Sequence, residues 1–117
     1  MDFDDSALAG LQEALPVAEF RELLTDYLAS MAARLSQALA LGEAGNWKDL
    51  AFAAHTLVST SGSYGLTRAS ALARDLERAC QAGHGGEAAA LLPELVASAT
   101  RGAAALRARF LGDRVAA

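Results

Sequence analysis

His55 stands in a run of small and apolar residues, Ala51-Phe52-Ala53-Ala54-His55-Thr56-Leu57-Val58-Ser59-Thr60-Ser61-Gly62. At the helical turn of about 100° per residue, Lys48, Phe52, Ser59 and Gly62 lie close to whole turns from His55 and share its face. Ala51 and Val58 flank that face. The apolar stripe of the same segment, Trp47, Leu50, Ala54, Leu57 and Ser61, is centred roughly 130° away, so the imidazole is turned out to solvent. An imidazole ordinarily titrates near pH 6.5, about the neutral range, which leaves a ring nitrogen with a free lone pair. Such a nitrogen is a nucleophile, and small neighbours at Ser59 and Gly62 leave room for a bulky electrophile, as a phosphoryl acceptor requires. General-base work would need a cleft and an orienting carboxylate, and this face offers neither. An exposed Phe52 beside an accessible histidine suits a docking surface. Taken alone, a surface histidine on a helix is usually a plain polar residue; the neighbours are what single His55 out.

The remaining reactive residues do less. His84 lies in the Gly-rich stretch Gly83-His84-Gly85-Gly86 without organised surroundings and is assigned no role. Cys80 reads as a small core hydrophobe, and a single cysteine excludes an internal disulfide and fits a reducing compartment. Two histidines and one cysteine make a closed zinc site implausible. The net charge of −4 comes with no basic stripe, which argues against nucleic-acid binding. No apolar run approaches the roughly 18 residues of a membrane span, and the acidic opening Met1-Asp2-Phe3-Asp4-Asp5 is unlike a secretory signal. The expected location is cytoplasmic. The Met start and acidic opening lean toward a free-standing protein over a module of a hybrid kinase.

The elements that must position His55 are helices. With 117 residues, 53% hydrophobic and only 6% aromatic, the chain fits one Ala- and Leu-rich helical domain over 1–117. A first short segment, about Asp5 to Leu15, carries Leu8, Leu11 and Leu15, with Asp4, Asp5 and Ser6 as cap candidates. A second runs from near Pro16 to near Leu41, with Val17, Phe20, Leu24, Leu28, Met31, Leu35 and Leu39 on its buried stripe and Gly42 as its stop. A third opens at Asn46, with Asp49 in a box-like position, and exits at Gly65. A fourth buries Ala69, Leu72, Leu76, Ala79 and Cys80, ends at Gly83, and turns Arg74, Asp75, Glu77 and Arg78 outward as a solvated charged face. The fifth carries Leu92, Leu95, Ala99, Ala103, Leu106 and Phe110, with Pro93 either kinking it or marking its first turn. Short loops favour an all-α fold, an antiparallel up-down-up-down four-helix bundle with a short N-terminal capping helix. Bundle closure leaves no extra apolar face, so a monomer is expected.

The stretch Ala54-His55-Thr56-Leu57-Val58-Ser59-Thr60-Ser61-Gly62-Ser63-Tyr64-Gly65-Leu66 resembles the histidine-containing phosphotransfer (HPt) domain. That family's pattern is an Ala-His pair, Leu at +2, Lys at +3, Gly at +4, small residues, and Gly at +10. Ala54, His55, Leu57, Thr60, Ser61 and Gly65 match it. Leu72, Ala73, Leu76, Glu77 and Gly83 fit the next helix of the family, and Leu91-Leu92-Pro93-Glu94-Leu95 is similar to its last one. The likeness extends roughly over Val17 to Phe110. It implies a four-helix bundle that is a phosphoryl carrier and not an independent enzyme. His55 would accept a phosphoryl group from a receiver-domain aspartate and pass it to another receiver. The implied partners are receiver domains of response regulators or hybrid histidine kinases. The implied chain needs no cofactor of its own, the Mg²⁺ belonging to the receiver. Lys48, Ala51, Phe52, Val58, Ser59 and Gly62 would form the docking face.

Two positions depart from the pattern. Val58 stands where the family has Lys, and Ser59 where it has Gly. The nearest alternative cation on the face, Lys48, is about 10 Å along the axis and a poor substitute. Ser59 brings a hydroxyl able to bond the imidazole or a phosphate. A second reading follows from Val58: a non-catalytic module of the same fold that binds a receiver or kinase without being phosphorylated.

Overall fold

The computed structural model describes residues 3–112, so Met1 and Asp2 of the acidic opening lie outside the described residues. Five α-helices follow in order: α1 Ser6–Ala14, α2 Val17–Glu43, α3 Trp47–Ser63, α4 Thr67–Gln81 and α5 Gly85–Leu106, with a π-helical turn at Arg107–Leu111. α1 starts because the Asp4 carboxylate accepts the backbone N–H of Ser6 at 3.0 Å and its hydroxyl at 2.7 Å. Those two bonds hold the Asp4 carboxyl below its ordinary pKa. Leu15 is extended and Pro16 precedes α2, where its missing N–H is not needed.

α2 packs on α3 and α5, and α4 packs on α3 and α5. Each helix of the four therefore has two neighbours, and the ring closes into the expected bundle. The expected stripes meet at its centre: Leu24, Leu28 and Met31 from α2, Leu50, Ala54 and Leu57 from α3, Leu72 and Leu76 from α4, and Leu92, Leu95, Ala99 and Leu106 from α5 are all buried. At one end Phe110 packs between Phe3 and Phe20, with ring centroids 5.8 and 5.6 Å away. The N-terminal segment is tied to this end by the Asp4 N–H, which donates to the Gly65 carbonyl at 2.7 Å. At the other end the Trp47 indole lies so close to Gly85 that an added Cβ there would come within 3.1 Å.

Three expectations are corrected. Gly42 does not stop α2, which continues to Glu43 and turns at Gly45, whose φ is 67°. Gly42 is instead a packing position: a Cβ there would sit 2.5 Å from Leu92 Cδ2, so any larger residue would make the Leu92 side chain shift. Val17 and Leu39 leave the buried stripe, at 76% and 38% exposed. Val17 has the right angular position but precedes the level at which the phenylalanine cluster closes the core. Leu39 lies at the edge of the stripe on the α5 side, and Ala38 takes the buried place. Phe110 belongs not to the α-helix but to the π-helical turn after it, held by Arg21, which donates to the Phe110 and Leu111 carbonyls at 3.1 and 3.0 Å. Pro93 resolves to an internal position of α5, not its first turn.

Gly65 carries the strictest backbone demand. Its φ is 78°, and a Cβ would meet the Asp4 carbonyl oxygen at 2.5 Å and the Asp4 nitrogen at 3.0 Å. Left-handed strain and displacement of the N-terminal segment should together make Gly65→Ala cost about 2–3 kcal/mol in urea unfolding. A loss below about 0.5 kcal/mol, the range of neutral surface changes, would contradict this.

Candidate functional site

Asn46 starts α3 by accepting the Asp49 N–H at 3.2 Å, while its own amide donates to the Asp49 carboxylate at 2.9 Å. α3 runs unbroken to Ser63 with Leu50, Ala54, Leu57 and Ser61 buried. His55 is therefore on the outer side, and its side chain is 70% exposed. Lys48, Ser59 and Gly62 are exposed with it, and Phe52 is 77% exposed. Ala51 and Val58 are half-buried against the core. The helical arithmetic thus places all seven residues where they were expected. The Ser70 hydroxyl donates to the Val58 carbonyl at 2.8 Å and fastens α4 along this flank. On the other flank Tyr27 donates to the Thr60 carbonyl at 2.9 Å and stacks on Tyr64, and burial raises its phenol pKa so that it stays a donor.

The expectation that the face lacks both a cleft and an orienting carboxylate is overturned. A shallow hollow between α3 and α4 is lined by Ala51, Phe52, His55, Glu77 and Gln81. In it Glu77 Oε2 lies 2.9 Å from His55 Nδ1. Glu77 is not part of a solvated charged face, because only 19% of its side chain is exposed. An ionised carboxylate can only accept, so the proton of this bond sits on Nδ1. Nε2 is then the nitrogen that carries the lone pair, and the ring is held in one orientation by the adjacent helix.

Sequence reasoning missed Glu77 as a site residue, although one signal was available. Ala73 and Cys80, four before and three after it, are both buried, so Glu77 sits at the border of the α4 core stripe. The pairing of α4 with α3 that aims it at His55 is a matter of register between helices, which periodicity does not contain. Cys80 is buried, as expected, and burial raises its thiol pKa. His84 precedes α5, with its Nδ1 3.4 Å from the exposed Glu87 carboxylate. Among the described residues no group of three or more His, Cys, Asp and Glu side chains could hold a metal ion, and no helix is long and apolar enough to cross a membrane.

A family model for the Hpt domain matches residues 22–109, and the chain belongs to this family of phosphocarrier modules. The match takes in most of α2 and all of α3, α4 and α5, and leaves α1 outside. The fold is that of the histidine-containing phosphotransfer protein B (HptB) from Pseudomonas aeruginosa PAO1, with a TM-score of 0.87, 24% sequence identity and 97% of each chain covered. No curated protein matches the chain in sequence.

The geometry makes a prediction for the ring. Nitrogen-15 NMR of the neutral protein should show His55 protonated on Nδ1, and Glu77→Ala should shift the ring toward the Nε2–H form. An Nε2–H ring in the wild type would break the link to Glu77.

Proposed function

We propose that His55 is the phosphoacceptor of a histidine phosphotransfer carrier that relays a phosphoryl group between receiver-domain aspartates in a two-component phosphorelay. The observation that carries this reading is the outward imidazole whose Nδ1–H is engaged by Glu77, which leaves Nε2 as the free nucleophile. In the transfer, the Nε2 lone pair attacks the phosphorus of an aspartyl phosphate. The N–P bond forms as the P–O bond to the aspartate breaks, and its electron pair leaves with the carboxylate. The ring becomes a cation, and its Nδ1–H stays on the Glu77 carboxylate, which stabilises that charge. Onward transfer reverses the same steps on a second receiver. The chain contributes a nucleophile and its orientation; the Mg²⁺ and the other catalytic groups belong to the receiver. It acts as a carrier without being an independent enzyme, in the cytoplasm with its receivers.

Phe52 is the anchor of the docking face, with Ala51, Val58, Ser59 and Gly62 around it and Lys48 at its rim. An exposed aromatic ringed by small residues suits a transient interface, as a carrier that must release each partner requires. Val58 is a half-buried apolar residue where the family pattern has a cation. It favours a second reading, a binding module of the same fold that engages a receiver without being phosphorylated.

A receiver charged with acetyl phosphate separates the two. The carrier takes up an acid-labile, base-stable label that His55→Gln lacks, whereas receiver binding with no label on the wild type would establish the binding module. Glu77→Ala should retain the label but slow its uptake roughly fivefold, equivalent to the ~1 kcal/mol of a partly exposed charged hydrogen bond.

Phe52→Ala should raise the receiver Kd about tenfold, as loss of an aromatic anchor does. Its melting temperature should stay within about 2 °C of wild type, because the ring contributes little to the core. A large fall in melting temperature would place Phe52 in the fold and not in the docking face.

A further inference from the structure

The seam between α2 and α5 lies across the bundle from the α3–α4 seam that holds His55 and Glu77. It forms an open groove that is mainly apolar in its middle and at the Gly42 end and mixed in character at the Arg21 end. Its middle is lined by Leu28, Ala32, Ser36 and Leu39 from α2 and by Val96 and Thr100 from α5. The groove continues past Gly42, Ala89 and Pro93 at one end and past Thr25 and Ala29 at the other. In a chain with 21% charged residues, every residue lining the middle stretch short of Arg107 is uncharged. This corrects the expectation that bundle closure leaves no further apolar face. Among the described residues the charges that line it are Arg21 and Arg107 toward one end and Glu43 at the other.

That charge arrangement identifies an occupant. An antiparallel two-fold axis across the groove brings the basic end of one copy onto the acidic end of the other, twice, and lays the uncharged stretches together. We propose that the α2–α5 seam is the interface of a reversible homodimer, in which Arg107 of each copy meets Glu43 of the other. Arg21 and Glu43 are separated by about 33 Å of helix, and two helices are about 20 Å wide. The interface therefore buries at most about 650 Å² per copy, short of the ~800 Å² of a standard stable complex. The dimer is accordingly weak and concentration-dependent. Both His55 faces point away from the axis, so each copy remains open to its own phosphoryl donor, and the proposal stands whether or not His55 is phosphorylated.

Sedimentation equilibrium of the full chain from about 10 μM to about 1 mM, the range of a weak interface, tests it. The average mass is expected to climb from 12.1 kDa toward that of two chains. Ala32→Glu puts a charge at an exposed position in the middle of the groove, so it should fold normally, as a thermal melt will verify, and raise the dimer Kd at least tenfold. Arg107→Glu should weaken the dimer likewise, and adding Glu43→Arg should restore it. A chain that stays monomeric throughout overturns the proposal, including the case in which another protein's helix fills the groove. A dimer indifferent to Ala32→Glu overturns the location, and failure of the charge swap to restore association overturns the antiparallel pairing.

Discussion

The hydrogen bond between His55 and Glu77 joins two helices at the one point where their relative register has chemical consequences. A slip of one residue in α4 would rotate Glu77 by about 100° and leave the imidazole without an acceptor for its Nδ1 proton. The rest of the bundle can be understood as what holds that register. Ser70 fastens α4 to the Val58 carbonyl, Ala73, Leu76 and Cys80 seat α4 in the core, and Tyr27 braces α3 from the opposite side. Neither partner of the bond is itself a core residue, so its geometry is inherited from packing around it.

The helices, their stripes and the outward direction of His55 were legible in the sequence because each depends only on spacing along one helix. Features that depend on two helices were not. Gly42 looks like a helix stop until Leu92 is known to press against it. Leu39 lies about 60° from the centre of the α2 stripe and Ala38 about 40° on the other side, a small difference that the position of α5 turns into exposure for one and burial for the other. The seam left open between α2 and α5 is likewise a property of how two helices meet. Glu77 is the telling case: its neighbours Ala73 and Cys80 mark it as a border residue, yet nothing in α4 alone says what lies across the border.

The replacement of the family's lysine by Val58 takes its meaning from the same geometry. The site has a carboxylate behind the imidazole and an apolar side chain beside it, so its fixed charge is negative. On the proposed reading, an incoming phosphoryl group meets an apolar side chain where the family pattern has a cation, and its charge would be compensated by the docking partner. The same reading divides recognition and reactivity between two molecules, with this chain providing orientation and an apolar platform.

The placement of the aromatic residues has a practical consequence. The one tryptophan, Trp47, packs against Gly85 at one end of the bundle, and the stacked tyrosines 27 and 64 lie toward the other. Indole emission and near-ultraviolet tyrosine dichroism therefore report on opposite poles of the molecule. Followed together during denaturation, they reveal whether the rods separate in concert or fray from one pole, with no added dye or label.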